Sequence, residues 1–448
     1  MNRRELLKSI ALGSTYLSIT GFHSIKLPGS IPEEKDGNLY VRRPGCKIPI
    51  IYEANVVVIG GSTAGVAAAS AAAYEGANVF LVSGDPYLGG DISGTYRFWD
   101  ITPSKKTEIE SKLFCQGLPT PNEFKKALED VLLDQDIPFL LSSYVSNILI
   151  DNSGNPAGVV IANRSGEQII KAGIIIDATE RATCAKLMGI SFTKYHAGKH
   201  NFNFTVLGNA PKLGYSVEKL HPAYIHKEKS YQALRYSLSI QMQDDSFASF
   251  AKAEQKARDI TWDVNQVNTS DVLFEIPPNH INGIRCYKET EVDFTSINLD
   301  CFRPENTKAI YILSGLADIN REVAKKLLEP SNMLLMGYRI GKQAARVAKR
   351  NTVGKISSQQ KKYPSSTIKM VTQHQDEMRP QHQLGFISIK DEYIPVIGKY
   401  DLVVVGGGSA GSSAAISAAR KNTKVLLMEY LHGLGGVGTM GYIGTYWY

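Results

Sequence analysis

The stretch from Asn55 to Ser83, NVVVIGGSTAGVAAASAAAYEGANVFLVS, constrains the fold more than any other part of the chain. Val56 to Ile59 is a β-branched run of the kind that fills a strand buried on both faces. Gly60, Gly61 and Gly65 punctuate the turn that follows. Val66 to Tyr74 carries small residues almost throughout, which predicts a helix lying close on a sheet, and Gly76 is placed to stop it. Val79 to Val82 predicts a second, parallel strand, completing a βαβ unit of about thirty residues. At its helix N-terminus, unpaired N–H groups and the positive dipole end suit a pyrophosphate, and glycine lets the backbone approach it. The pattern assigns nucleotide contact to Gly60, Gly61, Ser62, Ala64 and Gly65. Two positions depart from it. Ser62 replaces the second glycine, and Ser83 stands where an acidic residue accepts the ribose hydroxyls in this motif.

The 448 residues, 43% hydrophobic and 21% charged, leave ample material for about two or three globular domains. The net charge of +7 is spread along the chain without a basic stripe, which argues against a nucleic-acid partner. Cys46, Cys115, Cys184, Cys286 and Cys301 are widely separated. They form no C-x-x-C, so no metal site, iron–sulfur cluster or redox disulfide is expected. At the N-terminus, MNRRELLKSIALGSTYLSITGF joins Arg3-Arg4 to an apolar run from Ile10 to Phe22. It resembles a twin-arginine export signal, and the resemblance implies a periplasmic or cell-envelope location. Residues 1–23 are read as that signal and 24–52 as a linker.

The first unit continues into YLGGDISGTYRFWD, and here the chain resembles the FAD-dependent oxidoreductases of the glutathione-reductase-like type. The resemblance implies that Leu88, Gly89, Gly90 and Asp91 wrap the ribityl and pyrophosphate region, and that Ser93 to Trp99 approach the flavin ring. It implies a small accessory sheet after the helix of TPNEFKKALEDVLLD, with the backbone near Val145 at the adenine. Ala178-Thr179 matches a strand end in the family, with Glu180 where the family has glycine. Farther on, Ile310 to Leu313 leads into Gly315-Leu316-Ala317-Asp318, which resembles the second flavin motif, its aspartate holding the ribityl hydroxyls. A helix read from Gly337, through Gly341, to Arg350 is implied to aim its N-terminus at the flavin. The fold expected is α/β: a Rossmann-like FAD-binding domain, built from 53–190 and 301–350, with an inserted α+β substrate domain at 191–300.

Flavin enzymes leave the hard chemistry to the cofactor, so the protein must position a small-molecule substrate and handle a proton. Arg97, just after the flavin-proximal loop, is the candidate clamp for an anionic substrate, with Tyr96 and Trp99 beside the ring. His280 is the candidate base, with His196 and His200 as further histidines of the inserted domain. Neither substrate nor electron acceptor is named by the sequence. Hydride or electron transfer between the substrate and flavin N5 is the expected activity. A non-catalytic, flavin-impaired remnant is the alternative that Ser62, Ser83 and Glu180 raise. An NAD-binding dehydrogenase fails to explain the Gly315–Asp318 motif.

The opening fingerprint recurs. YDLVVVGGGSAGSSAAISAAR aligns with the first copy at a constant offset, Gly60, Gly65 and Leu88 falling on Gly406, Gly411 and Leu434. Gly408 and Glu429 replace Ser62 and Ser83, so the second copy keeps the motif better. Residues 351–399 read as a linker and 400–448 as a truncated second dinucleotide-binding unit of a tandem architecture. Its complement would lie on a separate or missing chain, or the stub would dock on the first unit or a partner. The working site is expected in the first copy.

Overall fold

The protein is described by a computed structural model covering residues 33–35, 38–102, 108–114, 119–152, 154–208, 210–226, 228–307, 309–349, 356–357, 385–431, 433–441 and 443. The export-signal reading of residues 1–23 lies outside them. The chain divides into a larger unit, Lys47–Gln359 with Gln373–Ile389, and a smaller one, Met1–Cys46 with Gln360–Thr372 and Lys390–Tyr448.

In the larger unit, strand β1 runs from Cys46 to Ile59 and is longer than its glycine-flanked tip suggests. Ile48 and Ile50, inside the stretch read as linker, are buried, because β1 pairs through Ile50 and Tyr52 with the partner strand introduced below as β6. Helix α1, Thr63–Tyr74, follows, with ten of its twelve residues buried. Such a helix has no polar stripe and must be enclosed on all sides. Then come β2 (Val79–Val82), the short α2 (Gly90–Ser93), α3 (Glu108–Leu113), α4 (Pro121–Leu133) and β3 (Phe139–Leu140). Helix α4 begins with a capping box between Thr120 and Glu123, which satisfies two orphan N-terminal donors.

Strands β4 (Tyr144–Asp151), β5 (Pro156–Asn163) and β6 (Gly166–Asp177) form an antiparallel meander. The second half of β6 leaves it and runs parallel to β1, pairing Ile174 with Val56 and Asp177 with Ile59. A late strand, β12 (Ile310–Ile312), adds parallel to the far side of β6. The parallel strands therefore lie in the order β3-β2-β1-β6-β12. This is doubly wound topology, in which the strand order reverses between β1 and β6 and opens a crevice at their C-terminal ends.

Between β6 and β12 the chain forms α5 (Thr183–Leu187) and an antiparallel sheet of β7 (Gly198–Leu207), β8 (Ser216–His226) and β9 (Lys229–Met242). Helix α6 (Phe247–Thr261) packs on β9, and the short β10 (Asn268–Thr269) and β11 (Phe274–Glu275) pair with β7. Phe202, Phe204, Leu234, Tyr236 and Ala257 form a core of their own there. After β12 come α7 (Arg321–Leu327) and α8 (Pro330–Ala348), and α8 covers α1. Strands β13 (Ile356–Ser357) and β14 (Phe386–Ile389) return to the sheet, at β4 and β1, from within the stretch read as linker.

In the smaller unit, strands Glu33–Lys35, Asn38–Arg43 and Glu392–Pro395 make one sheet. The second fingerprint forms its own βαβ unit of β15 (Leu402–Val405), α9 (Ser409–Ala419) and β16 (Val425–Met428).

Candidate active site

The turn after β1 has the shape its glycines predict. Gly60 adopts φ +110°, and a Cβ there would meet Ala178 O at 2.5 Å. A Cβ on Gly65 would strike Gly60 O at 2.2 Å. Both glycines are therefore needed to bring the ends of β1 and β6 together. Gly89, at φ +75°, donates its N–H to Gly61 O, and Leu88 beneath it is fully buried.

Ser62 caps α1, its Oγ accepting from Gly65 N–H at 3.1 Å and lying 3.2 Å from Ala178 O. Asp91 Oδ1 takes the next donor, accepting from Thr63 N–H at 2.8 Å and from Thr63 Oγ1 at 3.0 Å. Of the first three helical N–H groups, that of Ala64 is left without a partner among the described residues. Burial raises the Asp91 carboxyl above the ordinary carboxylate range.

A cavity of about 430 Å³ opens at the C-terminal ends of β1, β6 and β12. Ser62, Asp91 and Ala178 form one end, Leu313-Ser314-Gly315 the floor, and Leu328 with Met333 of the first turn of α8 the side. The inserted region supplies the remaining wall with Phe250, Val272, Leu273 and Phe274. Its size is that of a small-molecule site, and its apolar walls with few polar groups have the same character.

Arg97 enters this cavity from the turn after α2. It is 7% exposed, with Nε donating to Asp100 at 2.8 Å and Nη2 to Leu328 O at 2.9 Å. Its guanidinium lies 3.7 Å from the centre of the Phe274 ring, which orients it further. Nη1 is without a partner among the described residues. Glu180 also lines the cavity, exposed along the opening yet crowded by protein, and burial together with Asp85 lifts its carboxyl to about 7. Arg181 beside it bridges Glu275 and stacks 3.7 Å over Phe250.

Ser62, Asp91, Arg97, Ala178 and Gly315, named from the sequence, thus meet in one cavity. The other residues named from the sequence lie elsewhere or face other partners. Ser83 is 1% exposed, and its Oγ accepts from Asp85 N–H instead of facing the opening. Thr179 turns back on Asp177, donating from Oγ1 at 2.6 Å. Val145 lies on β4, packed on the opposite face of the sheet. Asp318 is not among the lining residues; it accepts from Gly283 N–H at 2.8 Å, with His280 Nδ1 3.4 Å from its other oxygen. His280 is tied to Ile281 O at 2.8 Å and does not line the cavity, nor do His196 and His200. Tyr96 binds Asn268, and Trp99 donates to Pro222 O. Gly337 and Gly341 stand in the middle of α8, because Pro330 starts that helix seven residues earlier. A Cβ on either would enter the backbone of α1, at Ala64 O and Ala68 O.

Sequence reasoning missed Arg321. Its guanidinium donates to five backbone carbonyls, of Pro277, Asn279, Gly315, Ala317 and Ile319, and so fixes the loop beneath the cavity. Nothing in the sequence marks it apart from its place just after the Gly315–Asp318 motif.

The doubly wound sheet, the glycine turn at its switch point and the cavity there define a dinucleotide-binding flavoprotein fold. The FAD dependent oxidoreductase profile matches residues 55–311 and 401–447, and the chain belongs to that family. Its cofactor is accordingly FAD. No protein of curated function matches the chain. Among solved structures it is similar to BexE, studied for oxidation during BE-7585A biosynthesis, at 13% identity and TM-score 0.44, covering 66% of this chain and 63% of that one. It is also similar to aklavinone-11 hydroxylase, solved with FAD and aklavinone, at 12% identity and TM-score 0.40, covering 66% and 63%. A third is p-nitrophenol 4-monooxygenase PnpA from Pseudomonas putida DLL-E4, at 13% identity and TM-score 0.39, covering 67% and 82%. The chain spans 63% of the length of the first two.

The residues present fit the cofactor. Ser62 and Asp91 at the α1 N-terminus line the cavity, and the Ala64 N–H in the first turn of α1 is unpartnered among the described residues, a donor suited to a phosphate.

Proposed function

We propose that the chain transfers a hydride or electron pair between a small organic substrate and the N5 position of bound FAD. The observation that carries this reading is the single cavity shared by the ends of β1, β6 and β12 and by the inserted α6–β11 region. The diphosphate would be held at the α1 N-terminus by Ser62 and Ala64, and the remainder of the cofactor along Ala178, Gly315 and the first turn of α8. When bound, the flavin supplies the two-electron redox chemistry.

The chain's own part is positioning. Asp100 and Leu328 O fix Arg97 by two hydrogen bonds, and Phe274 stacks on it, leaving Nη1 to meet an anionic or carbonyl oxygen of the substrate. Phe250, Leu273 and Phe274 exclude water from that encounter. The inserted region is read as the substrate domain on this basis. Denaturing the purified protein should release FAD, and anaerobic addition of a substrate should bleach the flavin absorbance. Colourless protein that FAD does not reconstitute would refute the reading. Arg97→Met should lower kcat/KM by about 10- to 100-fold, the worth of one charge-assisted hydrogen bond, with FAD content unchanged.

Two further parts of the reading stand outside the site. Arg3-Arg4 and the apolar run after them support export, which Arg3→Lys with Arg4→Lys would abolish in cell fractionation. The fingerprint repeated at 400–448 supports a second dinucleotide-binding unit.

A further inference from the structure

The α1 N-terminus carries an anion of the chain's own. Asp91 Oδ1 holds Thr63 N–H and Oγ1, beside the Ala64 N–H left for a phosphate. Glu180 lines the same end of the cavity and has no ion-pair partner among the described residues. The charged groups facing this end come from several elements. Asp85, in the loop after β2, acts on Glu180 as a like charge, as do Asp91 of α2 and Glu254 of α6. Arg181 acts on Glu180, and Arg97 on Asp91, as opposite charges that oppose this, but each is shared with a closer carboxylate, Arg181 with Glu275 and Arg97 with Asp100, while Lys186 pairs with Asp245 at 2.7 Å and Arg258 with Glu254 at 3.8 Å. A dianionic diphosphate brought to this seat meets net negative charge, and like charges at close range favour the protonated carboxyl.

We propose that Asp91 and Glu180 make cofactor binding in this chain proton-linked, the seat accepting the FAD diphosphate together with protons on these carboxylates. The inference rests on the diphosphate lying at the α1 N-terminus, as proposed above. Protonation of Asp91 frees the Thr63 donors for phosphate, and protonation of Glu180 removes the facing charge. Both carboxyls already lie above their ordinary range in the free protein, Glu180 at about 7. The bound diphosphate raises them further. Affinity is then level below the pKa of the free protein and falls as pH rises through it toward the value in the complex.

FAD itself is the probe, titrated into the apoprotein by flavin-fluorescence quenching between about pH 6 and about pH 9. The dissociation constant should rise above about pH 7, by up to about tenfold per pH unit as Glu180 gives up its proton. Calorimetry in two buffers of different ionisation enthalpy should register that uptake directly. Glu180→Gln with Asp91→Asn should bind FAD with a level profile that does not weaken in alkali. A level profile in the unaltered chain overturns the proposal without any variant, and so does a double variant that keeps the original slope or loses FAD while folded. Absence of FAD binding at every pH would overturn the diphosphate placement as well, whereas tight binding with a level profile would overturn the proton linkage alone.

Discussion

Gly341→Ala tests what holds α8 to α1. In an exposed helix this exchange is favourable by about 1 kcal/mol, because alanine loses less backbone freedom. Here the new Cβ would lie 2.2 Å from Ala68 O and 2.9 Å from Ala68 C, where ordinary contact begins at 3.4 Å. The obstacle is backbone at a fully buried position of α1, so no side chain can swing aside. The two helices must part by about 1 Å, and a gap of that size forfeits about a quarter to a half of the dispersion energy across the contact. Overpacking of this kind costs about 1–3 kcal/mol before the loss of contact is added, so a net destabilisation of about 2–3 kcal/mol is expected. Urea unfolding followed by circular dichroism measures it. Ala68→Gly in the same background should not rescue stability, since the clash is with the peptide oxygen and not with the Ala68 methyl. FAD affinity of the folded fraction should be unchanged. A variant as stable as the parent but impaired in FAD binding would refute the packing argument and return Gly341 to the cofactor.

Arg321→Met removes the donor to five carbonyls and should cost about 3–5 kcal/mol in urea unfolding, with Arg321→Lys recovering part; a loss below about 1 kcal/mol would contradict the caging role. Asp177 is fully buried and its carboxyl is pushed up from 3.8 to about 6 by burial, against hydrogen bonds from Thr179 and Ala185. Because the folded-state value is raised, its contribution is fully present below 3.8 and is lost as pH rises through about 6, a change of about 3 kcal/mol. The stability of Asp177→Asn relative to the parent should improve by that amount between about pH 4 and about pH 7, and a constant difference would refute it.

What the sequence made legible was the part governed by near neighbours. Val56 to Ile59, the Gly60–Gly65 turn and the small-residue helix after it are contiguous, and each carries its own signal of burial or backbone freedom. Arg97 and Asp91 reached the site because the glycine loop containing them is fixed to Gly61. The failures share a different cause. Gly337 looks locally like the start of a helix, yet Pro330 is the start signal of α8, and the glycine answers to Ala64, far away in sequence. Asp318 matches the ribityl motif locally, while its partner Gly283 N–H comes from the loop at 279–283, which no local pattern foretells.

The repeat shows where the local signal ends. Ile59 and Val405 hold the same place in the two copies, at 4% and 81% exposure. Of α1 ten residues are buried, and of α9 only Ala415. Backbone geometry nevertheless recurs: Gly406 adopts φ +99°, Gly435 donates to Gly407 O as Gly89 does to Gly61 O, and β15 pairs in parallel with β16. The fingerprint therefore encodes the turn and the helix N-terminus by itself, while burial comes from β6 on one edge and α8 on one face. Glu429 sharpens the point. Its Oε1 accepts from Tyr430 and Leu431 N–H and its Oε2 from Gly407 N–H, which holds its carboxyl below the ordinary range and charged. In the first copy the equivalent Ser83 carries no charge, and the acids stand instead at Asp91 and Glu180, in the phosphate seat. Moving negative charge from the ribose end to the phosphate end is what turns an ordinary dinucleotide cleft into one whose affinity answers to pH.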